Sequence, residues 1–296
     1  MIGALIPTRR KPKMRLPQVP CEMRHLILIA LLAIAPALVQ SSAQEASPAP
    51  SPFIAVESTD KNALKARAFL DQMIQTMGGK TYMSVQDMEQ EGRAYSFLQG
   101  RPNSVGAPFW RFWKFPDKDR VELTKQRDIV YINVGDRGYE VTYKGTAPQE
   151  REQLEDYLRR REHSMETVLR IWLQQKDTAL IYDGPAVAEQ KPCDSVTILD
   201  AKNDSVTIFI DRNTHLPVKK VWSWRDRLDN LKNEEGEIYD NFRSVGGVLL
   251  PHSILRTRNG EITNQRFLTV VRVNTGVADS LFQTSVTYDP FKKPGK

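Results

Sequence analysis

Hydrophobic positions recur along this chain with two different periods, and each switch between them marks an element boundary. From Asp60 to Met77, residues Ala63, Ala66, Leu70, Met73 and Met77 follow at three- and four-residue steps, the spacing of one apolar helical face. Ser58 or Thr59 supplies a cap, and Gly78-Gly79 a left-handed stop. Alternation then takes over. It predicts a long strand over Val85–Leu98, a loop over residues 100–108, an aromatic strand over Phe109–Phe115 and a return strand over Arg120–Lys125. Ile129–Val134 and Tyr139–Tyr143 predict a hairpin across Asp136-Arg137-Gly138.

The helical period returns between Pro148 and Gln175, where Leu154, Leu158, Met165, Val168, Leu169 and Trp172 form a stripe, with a break expected at His163-Ser164. A helix inserted into a β-rich chain has to bury such a stripe against the sheet, and such an element is well placed to lie across a barrel mouth, though periodicity does not itself show that placement. From Ala186 to Asn274 the chain reads as an antiparallel meander of roughly seven short strands. Its turns fall at Lys202-Asn203-Asp204, Asp211–Pro217, Gly246-Gly247 and Asn259-Gly260. A polar loop is expected over Asp226–Glu235, with Glu234, Glu235 and Glu237 on a solvated rim. A helical turn near Ala278–Phe282 precedes a polar tail. Consecutive strands in this number have to close or be covered. The predicted fold is therefore α+β, mostly antiparallel, curled round a cavity.

The first residues read differently. Leu26–Val39 is an apolar run too short to span a bilayer, follows basic residues and precedes Ser41-Ser42-Ala43. This predicts a signal peptide over residues 1–43, cleaved after Ala43, and export to the periplasm. An Ala/Ser/Pro-rich linker is expected over 44–58, one domain over 59–283 and the tail over 284–296. The leader holds Arg9, Arg10, Lys11, Lys13, Arg15 and Arg24 against Glu22, so it carries most of the formal net charge of +6. Without it no basic stripe remains, and no nucleic-acid partner is expected. Cys193 is the one cysteine after the leader, so no internal disulfide forms, and it reads as a small buried residue.

Catalytic patterns are missing. His163, His215 and His252 are not paired for zinc, and no nucleophile elbow, P-loop or dinucleotide fingerprint occurs. Neither enzymatic activity, nor a metal, nor a cofactor is expected. The aromatic residues are the stronger lead. Trp110 and Phe112 share a face of one strand, Trp222 and Trp224 a face of another, and Trp172 lies on the helical stripe. These five are the candidate ligand-binding residues, because bulky rings on a curled sheet make good walls for an apolar ligand.

Several turn signatures resemble those of the LolA-like superfamily, the outer-membrane lipoprotein-sorting proteins and their relatives. They are the Gly78-Gly79 helix end, Phe115–Arg120 (FPDKDR), Ile210–Pro217 (IDRNTHLP), Tyr239–Pro251 (YDNFRSVGGVLLP) and Asn274–Phe282 (NTGVADSLF). The resemblance runs from about Asn62 to Phe282. It implies a half-open β-barrel of about eleven strands with helices covering the concave side. It also implies a monomeric periplasmic carrier that holds lipid or lipoprotein acyl chains and moves them towards the outer membrane. The alternative is an envelope binding or sensor module that recognises a protein partner and carries nothing.

Overall fold

The computed structural model describes residues 55–226 and 230–291. The expected leader, and the linker up to Ile54, lie outside these residues. Helix α1 (Ala55–Met77) begins upstream of the expected cap, so Ser58 and Thr59 lie within its first turns. A single turn, α2 (Lys80–Met83), follows. The first half of the sheet is β1 (Asp87–Leu98), β2 (Arg101–Pro102), β3 (Ala107–Lys114), β4 (Lys118–Leu123), β5 (Ile129–Val134), β6 (Arg137–Thr142) and β7 (Gly145–Pro148). Helices α3 (Arg151–Glu162) and α4 (Met165–Arg170) come next, then a 3-10 turn at Trp172–Gln174. The meander is β8 (Ala179–Ala188), β9 (Lys191–Leu199), β10 (Ser205–Asp211), β11 (Pro217–Arg225), β12 (Lys232–Val245), β13 (Val248–Arg258) and β14 (Glu261–Val273). A 3-10 turn at Asp279–Phe282 ends it.

All these strands join one sheet in the order β7-β6-β5-β4-β3-β1-β14-β13-β12-β11-β10-β9-β8, with β2 attached to β1. Every neighbouring pair is antiparallel. The described residues give fourteen strands where the resemblance implied about eleven. Two of them, β2 and β7, are too short for alternation to register. The expected meander is present but starts at Ala179 instead of Ala186, and β12 begins at Lys232, inside the expected polar loop.

The strands β7 and β8 are the two edges, and they do not pair with each other, so the sheet is open. Both edges are partly capped, β8 by a side chain and β7 by a side chain and a backbone N–H, which blunts an exposed ladder. At β8, the Asn62 amide donates to the Tyr182 carbonyl (2.9 Å) and accepts from the Tyr182 N–H (2.6 Å), standing in for a missing strand. At β7, the Thr287 N–H donates to the Thr146 carbonyl (2.9 Å), and the Thr146 N–H donates to Thr287 Oγ1 (2.8 Å).

One face of the sheet carries the main core. Ala66, Leu70, Met73 and Met77 of α1 and Val168 and Leu169 of α4 bury against Val196, Ile198, Val206, Ile208 and Trp222. Full burial of Leu70 or Met73 stabilises the fold by roughly 1.5–3 kcal/mol each. Gly78 has φ of 124°, and a Cβ there would lie 2.8 Å from the Gly247 carbonyl oxygen. It therefore both ends α1 and lets it meet the β12–β13 turn. On the other face, Val130 and Ile132 of β5 pack with Val277 and Phe282, and Phe112 joins them.

Candidate binding cavity

A cavity of about 580 Å³ lies between the sheet and the α3–α4 segment. Its wall takes side chains from β1, β3, β4, β5, β11, β12, β13 and β14. Those eight strands are consecutive in the sheet and, laid flat at ~4.8 Å spacing, would spread over roughly 34 Å. Only a strongly curled sheet brings all of them round one hollow of this size.

The sheet register decides which residues reach it. In β3 the alternation divides Phe109, Arg111 and Trp113, which line the cavity, from Trp110 and Phe112, which do not. Met88 of β1, Leu250 of β13, Met77 at the end of α1 and Tyr82 of α2 complete an apolar section. Burial pushes the Tyr82 phenol well above its ordinary pKa, so it stays neutral there.

The rest of the wall is charged. Arg111 grips Asp119 in a two-pronged pair, with Nε donating at 2.9 Å and Nη2 at 3.0 Å. Burial alone would lower the Arg111 pKa, but Asp119 outweighs it and holds it above the ordinary value. Tyr157 of α3 lies over this pair; burial first, then the Asp119 charge, raises its pKa, so the phenol stays protonated.

Glu237 of β12 is the second centre. Its carboxylate meets Lys220 at 3.1 Å, Arg256 at 3.5 Å and Arg266 at 3.8 Å, and accepts the Tyr239 hydroxyl at 2.9 Å. Burial opposes its charge, but the three cations win and hold its pKa well below the carboxylate range. Lys220 is completely buried and also donates to the His163 carbonyl. Glu235, two residues earlier on the same face, is only 3% exposed and meets Arg256 at 3.3 Å. The expected solvated rim is thus corrected for Glu235 and Glu237. Strand β12 starts early enough to turn both carboxylates inward with Tyr239.

A side chamber of about 360 Å³ opens between α3, β12, β13 and β14. It shares Asp156, Arg160, Arg256, Asn264 and Arg266 with the main cavity, so the two are continuous.

Helix α3 covers this region with half-buried side chains and no fully buried one. It is held by polar contacts. Asp156 accepts from Arg159 (2.6 Å) and pairs with Arg258 of β13 (3.4 Å). The Arg159 guanidinium lies 4.4 Å over the Trp224 ring, and Arg161 donates to the Gly135 carbonyl. Helix α4 differs, with Met165, Thr167, Val168 and Leu169 all buried. The single stripe read from the sequence therefore divides at His163-Ser164 into a polar cover and an apolar anchor. Ser164 caps α4 by accepting from the Thr167 N–H.

None of the five aromatics singled out in the sequence is part of the cavity wall. Trp110 faces the opposite side of β3, under the Arg127 guanidinium at 4.0 Å, and Phe112 joins the second core there. Trp172 and Trp222 are buried in the main core against the His163 ring, Trp222 stacked on it and Trp172 edge to face. Trp224 sits between Arg159 and Arg258. Alternation pairs residues by face but does not say which face is inner. The residues missed were Arg111, Glu237, Arg256 and Arg266. Their signal was the same alternation, which groups Arg111 with Phe109 and Trp113, and Glu237 with Tyr239.

No protein-family model matches the sequence, and no curated protein sequence matches it. Solved structures do. A DUF1329 family protein from Desulfovibrio piger has a TM-score of 0.52 at 12% identity, over 74% of this chain and 97% of its own. A LolA superfamily protein from Nitrosomonas europaea scores 0.47 at 10% identity, over 74% and 97%. A putative outer membrane lipoprotein-sorting protein domain from Vibrio parahaemolyticus scores 0.47 at 10%, over 76% and 97%. At 0.52 the first of these shares the fold of this chain's open antiparallel sheet, and a shared fold is all that likeness at such identity shows.

Proposed function

We propose that the chain is an exported periplasmic carrier that binds the acyl chains of a lipid or lipoprotein and moves them towards the outer membrane. One observation carries the reading. A cavity of about 580 Å³, with Met77, Met88, Phe109, Trp113 and Leu250 in its wall, lies beneath a helix with no fully buried side chain. Its volume is within the ~300–1,000 Å³ of ordinary small-molecule sites. Burying a methylene contributes about 0.8 kcal/mol, so a 16-carbon chain gains on the order of 10 kcal/mol before ordering costs. A carrier has to give its cargo up again. A cover seated on ion pairs and one cation–π contact opens without exposing apolar core, which favours release over permanent capture. In this reading the helices cover the concave side of a half-open barrel, and the role is binding, not catalysis.

The test is direct. Purified mature protein is extracted with organic solvent and the extract read by mass spectrometry. The delipidated protein is then titrated with a fluorescent fatty acid. Co-purified lipid or saturable uptake is the expected result; neither lipid nor uptake contradicts the proposal.

A further inference from the structure

The side chamber is walled by four arginines, Arg160, Arg256, Arg258 and Arg266, against two carboxylates, Asp156 and Glu235. Both carboxylates are already engaged: Asp156 by Arg159 and Arg258, Glu235 by Arg256. Glu237, the next carboxylate inward, is shared by Lys220, Arg256 and Arg266. Six cations thus divide three carboxylates, and the surplus is positive. The Arg266 Nε is buried with no hydrogen-bond partner, and the buried Arg256 Nε has only the 3.3 Å ion-pair approach of Glu235 Oε1, which makes no hydrogen bond either. A buried donor left unpaired is costly, and a guanidinium is built to donate to a planar or tetrahedral oxyanion. Thr263 and Asn264 add neutral polar groups to the same wall. Burial, then the neighbouring Arg256 charge, pulls the Arg266 pKa down to about 10, as expected of a cation short of counter-charge.

The main cavity continues from this chamber to Met77, Met88, Phe109, Trp113 and Leu250. The hollow is therefore two-ended, cationic where α3 meets β13 and β14 and apolar towards α1 and β3. We propose that its ligand is an anionic amphiphile, an alkyl chain ending in a carboxylate or phosphate, with the oxyanion held by Arg256 and Arg266 and the chain laid along the apolar section. This rests on the carrier reading and narrows it. The diacylglyceryl anchor of a lipoprotein is uncharged at its glyceride end and leaves the arginines unmatched. A free anionic lipid fills both ends.

The test uses delipidated full-length mature protein and probes of one chain length that differ only in head: carboxylate, phosphate monoester, methyl ester and primary amine. Dissociation constants are measured by fluorescence displacement, with inorganic phosphate as a chainless competitor. The acid and the phosphate are expected to bind on the order of tenfold more tightly than the ester and the amine. Arg266→Met is expected to abolish that preference, so that the acid and the ester bind alike. Arg160→Gln, at a half-buried position of helix α3 outside the main core, is expected to weaken the preference and gives the same reading if Arg266→Met fails to fold.

Equal affinity for acid and ester overturns the head-group assignment and leaves the carrier reading intact. No binding by any chain overturns the carrier reading itself. Inorganic phosphate binding as tightly as the phosphate probe makes this a site for a free anion and overturns the amphiphile. Acid preference alone points to a fatty acid, and phosphate preference to a phospholipid.

Discussion

Glu237 shows how much of this interior is governed by single side chains. Removing its charge by Glu237→Gln takes the shared counter-charge from Lys220, Arg256 and Arg266, and breaking a buried pair from one side costs about 3–5 kcal/mol. Urea denaturation of the variant at neutral pH measures that loss. The pH dependence has a definite sign. A carboxylate held below its unfolded value contributes stability that is complete above about 4.5 and is lost as pH falls towards the folded value. The parent protein is therefore expected to weaken steadily below pH 4.5, and the Gln variant to show a flatter profile there. A variant as stable as the parent, with the same acid slope, contradicts the role given to Glu237. The sequence displayed Glu235 and Glu237 but not their environment. Charged residues on a strand beside a loop belong to a solvated edge in most proteins, and only the register of β12 against β11 and β13 turns them inward.

Among the elements, α3 and α4 are neighbours with opposite attachments. No residue of α3 is buried, while four of the six residues of α4 are. Ion pairs that keep partial contact with solvent, like those of Asp156, are weakened by salt, and buried apolar contacts are not. Hydrogen exchange is expected to show α3 amides opening well before those of α4, with the gap widening between low and high salt. Equal, salt-independent protection in both helices contradicts a polar seat for α3. At the β8 edge, Asn62→Ala removes both bonds to the Tyr182 backbone, and a loss of about 1–3 kcal/mol in thermal or urea unfolding is expected. No change would mean that water replaces the amide. The elements themselves were largely legible. Period 3.6 marked α1, period 2 marked the strands, and Gly78-Gly79, Gly246-Gly247 and Asn259-Gly260 marked turns. The break at His163-Ser164 was also readable from the residues. The different attachments of the two helices were not, because Leu154 and Leu158 continue the apolar spacing on a helix whose seat is ionic.

At the scale of the whole molecule, topology makes the hollow. Strands β1 and β14 pair near the two ends of the described chain, and the α3–α4 segment runs from one edge strand of the sheet to the other. A chain so arranged bends its sheet round whatever that segment covers. Local pattern gives no access to such closure, since β1–β14 pairing depends on residues far apart in sequence. The turn signatures pointed to a large open antiparallel sheet, which the described residues form with fourteen strands instead of about eleven, and alternation could not pick its inner face.

The central claim is that an alkyl chain enters the cavity between Met88, Phe109, Trp113 and Leu250. A fatty acid carrying a photoactivatable diazirine near its tail, bound to the delipidated protein, irradiated and mapped by peptide mass spectrometry, tests it most directly. Labels are predicted on β1, β3 and β13 at or beside Met88, Phe109, Trp113 and Leu250, and to vanish with excess unlabelled acid. Labels concentrated on the opposite face, at Phe112, Val277 and Phe282, or no competable label at all, would contradict the account.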